Sequence, residues 1–270
     1  MSIRNRAQAQ GQSSMGDPLA ILESALQVDR APTVMWLVLV PMVSWLWIVV
    51  MANDMYGSMS GASAWMMSAV WDVQHLLLLW AMWAVMMTAM MLPSATPLVV
   101  LYGVAARSQG TAGRQTWALV AGYLLVWMAF SLGATALQRV LASLLLISPM
   151  MAIISSPVAA TLLFIAGVYQ LTPVKQACLR ACQSPLGFLT SRWRAGASGA
   201  FTIGLEHGVY CVGCCWAMML LLFAGGVMNL TVIAALTAFV AFERLAPFGL
   251  YGARVSGVLL MGVGVWMLAR

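Results

Sequence analysis

The stretch WDVQHLLLLWAMWAVMMTAMMLPSATP, from Trp71 to Pro97, decides the fold. As an α-helix, the piece from Asp72 to Met90 rises about 27 Å, nearly the roughly 30 Å of a bilayer's hydrocarbon core. No Asp, Glu, Lys or Arg follows Asp72 within it. A helix satisfies its own backbone hydrogen bonds where no water can, so a run of this length and apolarity reads as a membrane helix. Comparable runs recur, and the expected spans are 34–52, 74–96, 116–137, 156–172, 199–224, 228–243 and 250–269. Pro93 and Pro97 mark the expected exit of the second span, because neither can donate to a helical hydrogen bond.

The whole chain has the same character. With 63% hydrophobic residues, 7% charged residues and a mean hydropathy of +0.92 over 270 residues, it carries more apolar surface than one water-soluble globule can hide. The expected architecture is all-α, a polytopic transmembrane helical bundle of about six to seven membrane helices forming one domain over residues 31–270. Residues 1–30 are polar and Gln/Ser-rich with no apolar core, and read as a cytoplasmic tail without a cleavable signal.

Orientation follows from the basic residues. Alternating the spans puts Arg4, Arg6, Arg30, Arg107, Arg114, Lys175, Arg180, Arg192, Arg194, Arg244 and Arg254 on one side, with Arg139 and Arg270 on the other. The positive-inside rule assigns the first side to the cytoplasm, and the expected location is the bacterial inner (cell) membrane. The net charge of +6 is then a matter of topology, and no basic stripe interleaved with aromatics suggests nucleic acid as a partner. The twelve Trp cluster mostly near expected helix ends or outer faces, an interfacial position.

The fifth span holds GLEHGVYCVGCCWAMM, Gly204 to Met219. At 100° per residue, with His207 at zero, Cys211 falls near 40°, Cys214 near −20°, Cys215 near 80° and Met218 near 20°, an arc of about 100°. Glu206 and Met219 flank that face, while Gly204 and Gly208 form a small-xxx-small pair that admits a close neighbour. The second span repeats the pattern: relative to Met82, His75 lies near 20°, Met86 near 40°, and Met90 and Asp72 near 80°. Met87 and Met91 continue beside this stripe, and Met51, Met55, Met59, Met66, Met67 and Asp54 lie in or beside the first outer loop.

Chemistry names the cargo for such faces. Thiolates and thioethers are soft and select Cu(I), whereas Mg, Ca and Mn prefer oxygen and Zn does not use Met. The chain has 22 Met, an excess over ordinary usage. The structural alternatives remain open. Met is a common filler of irregular cores, His75 or Asp72 at a helix end can snorkel or cap, and buried cysteines are often inert. Three cysteines within five residues, beside an intramembrane Glu-His pair, have the spacing of a metal or redox site. Cys178 and Cys182 in LTPVKQACLRACQSP can clip a short helix, pass a metal on the inner side, or be reduced cytosolic thiols. Glu243 and Arg244 read as an interfacial anchor pair, with the alternative that Glu243 closes a path from the inner side.

Taken together, AMMLPSATP at 89–97, LTPVKQACLRACQSPLGF at 171–188, GLEHGVYCVGCCWAMMLLLFAGGVMNL at 204–230 and FERLAP at 242–247 resemble the bacterial family of predicted metal-binding integral membrane proteins. The resemblance covers most of the chain after the tail. It matches Met90, Met91, Cys178, Cys182, His207, Cys211, Cys214, Cys215, Met218, Met219, Met228, Asn229 and Glu243 to motif positions. It implies metal binding and no established reaction.

Three functions follow. The first binds or moves Cu(I) through Cys, Met and His ligands on the second and fifth spans. Its partners are the metal ion, the lipid bilayer and a copper-dependent membrane or periplasmic protein as candidate recipient. The second is a membrane thiol-disulfide oxidoreductase using Cys211 and Cys214, which leaves the methionines unused. The third is a haem protein with His75 and His207 as axial ligands. No P-loop, zinc-protease or nucleophile-elbow signature appears, so hydrolysis has no support. The leading reading expects the second and fifth spans to face each other, with Met82 and Met86 at the depth of Cys211 to Cys215. The copper route would pass from Met55, Met59 and Asp54 through His75, Met82, Met86 and Met90 to the cysteines.

Overall fold

A computed structural model describes residues 31–57, 72–106, 112–148 and 151–269. The 1–30 tail and the loop residues Met59, Met66 and Met67 lie outside the described residues. Within them the chain is helical: α1 (Ala31–Tyr56), α2 (Val73–Ala105), α3 (Ala112–Ser143), α4 (Ser156–Leu171), α5 (Pro173–Gln183), α6 (Pro185–Ser191), α7 (Gly196–Gly225), α8 (Leu230–Leu245) and α9 (Gly249–Leu268).

Among the described residues, five helices are long and apolar enough to cross a membrane, namely α1, α2, α3, α7 and α9. They are six if α4 and α5, bent by 65° at their junction, count as one broken span. The segment expected at 228–243 is helical as α8, but its 16 residues rise only about 24 Å. The α4–α5 bend sits where Pro173 cannot donate to the preceding turn, and Thr172 Oγ1 accepts the Lys175 N–H at 3.2 Å to start α5 afresh.

The prolines of α2 do not end it. The helix runs through Pro93 and Pro97 to Ala105, more than two turns beyond the expected exit. The two prolines remove the donors that would have reached the Ala89 and Pro93 carbonyls, one bond each, and the turns on either side stay helical. Hydroxyls bond other carbonyls of the same stretch: Ser94 Oγ (2.8 Å) and Tyr123 Oη (2.9 Å) donate to the Met91 carbonyl, and Thr96 Oγ1 donates to that of Leu92 at 3.4 Å. At the other end, Asp72 Oδ1 accepts the His75 N–H at 2.7 Å, so the first carboxylate of the ladder stretch is an N-cap.

Helix α7 is the hub, packed against α3, α4, α5 and α8, while α2 packs on α1 and α3. Glycines set the closest crossings. A Cβ built on Gly204 would lie 2.0 Å from the Leu119 carbonyl oxygen, and one on Gly122 2.2 Å from that of Phe201. The close neighbour expected at Gly204 and Gly208 is therefore α3. Gly167 and Gly264 do the same between α4 and α9, with Cβ positions 2.6 Å from the Gly257 oxygen and 2.8 Å from the Ala160 oxygen. Without a hydrophobic drive between helices in lipid, such close backbone packing is what holds a bundle together. Helix α7 stops at Gly226, whose φ of +92° favours glycine.

This geometry gives a contrast within one helix pair. Gly204→Ala is expected to lower stability in detergent by about 1–3 kcal/mol through overpacking. Gly133→Ala on α3, where nothing lies within 4 Å of the new Cβ, should raise it by up to about 1 kcal/mol through helix propensity. Thermal unfolding of the two variants measures both, and equal responses would refute the close crossing.

Candidate metal centre

All five ligand-type residues on the α7 face are buried: His207 is 3% exposed, Cys211 0%, Cys214 1%, Cys215 1% and Met218 4%. Glu206, next to His207, turns away. Its carboxylate receives Arg192 Nη1 at 2.7 Å and Arg194 Nη2 at 2.8 Å near the surface, so it stands apart from that face.

Inside a helix a cysteine can donate to the carbonyl one turn back, and two do so here. Cys214 Sγ and Cys215 Sγ donate to the Cys211 carbonyl at 3.2 and 3.0 Å. Tyr123 Oη of α3 lies 3.0 Å from Cys211 Sγ. Its single phenolic proton can thus go to the Met91 carbonyl or to that sulfur. Helix α5 supplies a fourth thiol, with Cys182 Sγ 3.9 Å from Cys214 Sγ across the helix interface. Cys178, one turn earlier, rests over Gly213, where a Cβ would meet its Sγ at 2.9 Å. Tyr169 Oη donates to the Gly213 carbonyl on the same side. All five cysteines are free of disulfides.

A guanidinium closes the cluster. Arg244 of α8 donates through Nη2 to Cys214 Sγ (3.3 Å), Cys215 Sγ (3.2 Å) and the Cys211 carbonyl (3.2 Å), and through Nη1 to Ser94 Oγ of α2. Its neighbour Glu243 is held separately, by Lys175 Nζ at 2.7 Å and Gln170 Nε2 at 3.0 Å. Gln170 Nε2 also lies 3.4 Å from Met218 Sδ, joining this polar group to the α7 face. Glu243 and Arg244 are therefore not an interfacial anchor pair: they are 1% and 4% exposed and bond to different partners. Lys175 is 0% exposed.

Beside the cluster lies a cavity of about 210 Å³ where α2, α5, α6, α7 and α8 meet, with Cys182, His207, Arg244 and Ser94 on its wall. No group of three or more His, Cys, Asp or Glu among the described residues is arranged to hold a metal ion. Cys182 and Cys214 stand as a pair.

The α2 residues His75, Met82, Met86 and Met90 are all buried, at 2%, 0%, 0% and 2% exposure. Their level differs from the expected one. Tyr123 links Met91 to Cys211 and Arg244 links Ser94 to Cys211, whereas Trp83 meets Phe223 with ring centroids 5.1 Å apart. Met82 and Met86 thus lie toward Phe223, not beside Cys211 to Cys215. In the same register His207 borders Ser94 and Pro97, about 30 Å along α2 from His75. No single haem spans that separation.

Residues 80–267 match the copper chaperone family PpoB2. This chain belongs to that family. The matched region contains every thiol of the cluster, Arg244 and the methionines from Met82 onward, and it excludes His75. Membership of PpoB2 sharpens the resemblance to metal-binding proteins into copper handling, the chemistry that soft sulfur donors favour. No curated protein and no solved structure matches the chain.

Sequence reading missed Arg244, Lys175, Tyr123 and Gln170 as neighbours of the cluster. Lys175 sits in a polar, basic stretch and Arg244 at a helix end, where cations ordinarily reach water, so neither stood out. Tyr123 and Gln170 carried no signal either.

Proposed function

We propose that this protein is a membrane-embedded copper chaperone that carries Cu(I) on the thiol cluster between α5 and α7. Cys182 and Cys214 are the primary ligands, and His207, Cys211, Cys215, Met218 and Cys178 surround them. The observation that carries the reading is the separation of 3.9 Å between Cys182 Sγ and Cys214 Sγ. Two sulfurs bonded to one metal at about 2.3 Å, with a trigonal angle between the bonds, stand about 4 Å apart. A soft pair without a carboxylate oxygen suits Cu(I) over Zn(II), which takes four ligands in structural sites. The cargo passes to a copper-dependent membrane or periplasmic protein, and the chain lies in the inner membrane with its N-terminus in the cytoplasm.

The test is anaerobic purification of the full-length protein followed by titration with Cu(I) against a chromophoric chelator. The expected result is one tightly held Cu(I) per chain. A protein that takes up no Cu(I) would overturn the reading.

His75, Met82, Met86 and Met90 form the proposed approach route along α2, because neutral thioethers hold copper weakly enough to release it. Met82→Leu/Met86→Leu is expected to slow copper movement in reconstituted vesicles while changing stability by less than about 1.5 kcal/mol. Unchanged movement would reduce the stripe to packing and leave the thiol cluster as the whole site.

A further inference from the structure

Arg244 is a buried cation with no carboxylate. Glu243 is taken by Lys175, Glu206 is taken by Arg192 and Arg194, and Arg244 enters no ion pair among the described residues. Of the groups it hydrogen-bonds, a hydroxyl, a carbonyl and two sulfurs, only the sulfurs of Cys214 and Cys215 can carry negative charge. An isolated charge away from water is strongly unfavourable, so this arginine favours any state of the cluster that places an anionic sulfur beside it.

Resting on the reading of the cluster as a Cu(I) carrier, we infer that Arg244 is the fixed counter-charge that sets the valence of the metal accepted there. Loading breaks two S–H bonds, at Cys182 and Cys214, forms two metal–sulfur bonds and sends two protons to solvent. No electrons move. Two thiolates with one monovalent ion carry a single negative charge, which the guanidinium cancels. A divalent ion on the same pair is already neutral, and Arg244 then leaves an excess positive charge in a low-dielectric interior. Among the described residues no third His, Cys, Asp or Glu joins the pair in a metal-holding group that would remove that excess. The thiols supply softness, and the arginine adds discrimination by charge that softness alone does not give.

The experiment measures Cu(I) and Zn(II) affinity of the full-length protein under anaerobic conditions, each by competition with a chromophoric chelator. Arg244→Gln is expected to weaken Cu(I) about a hundredfold, the scale of breaking a buried charge pair. Zn(II) affinity should hold or rise, so the preference for Cu(I) narrows by at least the same factor. Arg244→Lys, which keeps the charge without the planar fork, should retain most of the preference.

Cys215→Asp gives a second arm that does not depend on removing the arginine. Its carboxylate neutralises Arg244 in place and should narrow the preference in the same direction. An unchanged Cu(I)/Zn(II) ratio in Arg244→Gln or in Cys215→Asp overturns the inference, as does a lysine variant that behaves like the glutamine one. Failure of the underlying reading looks different. In that case the parent protein binds no Cu(I), or binds it equally well after Cys182→Ser and Cys214→Ser.

Discussion

Cys214→Ser is expected to abolish stoichiometric Cu(I) binding even under full reduction. Cys214 is the thiol on which the cluster converges: Cys182 reaches it from α5, Arg244 from α8, and its own helix accepts its proton at the Cys211 carbonyl. Serine keeps the shape and the hydrogen bond to that carbonyl but replaces a soft donor by a hard one. The fold should survive, with apo stability changed by no more than about 1.5 kcal/mol, the net worth of an ordinary hydrogen bond. Cys178→Ser should retain most of the binding, because Cys178 lies over Gly213 and is not paired with Cys214. The same variants examine the redox alternative. A thiol oxidoreductase working through Cys211 and Cys214 requires a reversible disulfide between them and electron transfer without metal. The thiol that the structure gives Cys214 as a partner is Cys182. Recovery of a Cys211–Cys214 disulfide together with metal-free electron transfer would displace the copper reading.

The second large effect concerns the ion pair that fastens α5. Lys175 and Glu243 are both fully desolvated, with Nζ and Oε2 2.7 Å apart. Lys175→Met leaves a carboxylate inside the bundle with only Gln170 beside it, and the expected loss is about 3–5 kcal/mol. Adding Glu243→Gln removes the stranded charge, and the double variant should recover most of that loss, because a buried pair replaced on both sides is often close to neutral. Chemical unfolding in detergent of the parent, both single variants and the double variant closes the cycle. If the double variant lost the sum of the two single losses, the pair would have no coupling. Cu(I) binding should follow stability in this series, since Lys175 and Cys182 ride on the same short helix.

The α7 face was legible because one helix obeys one period: His207, Cys211, Cys214, Cys215 and Met218 share an arc on the helical wheel, and all are buried. The close approach at Gly204 was legible for the same reason, since two small residues four apart mark one side of a helix. Periodicity says nothing of how an antiparallel neighbour slides along its axis. Met82 was therefore placed beside the cysteines, although Tyr123 and Arg244 bring Met91 and Ser94 there. Prolines 93 and 97 misled because each removes one helical donor without unwinding its neighbours, and α2 continues through both to Ala105. Arg244 misled because a basic residue at a helix end looks the same in sequence whether it reaches water or turns inward to sulfur. Cys182 was visible as a motif residue, but its partner became visible only once the 65° bend had laid α5 against α7.

That bend has a consequence for biosynthesis. The cluster draws Cys182 from a short helix folded back at Thr172–Pro173, Cys211 to Cys215 from α7, and its cation from α8. A nascent chain therefore emerges with its thiols before its counter-charge, and a chain still lacking Arg244 exposes sulfur without a finished site. On the proposed copper reading, a finished site therefore arrives only with the completion of the bundle.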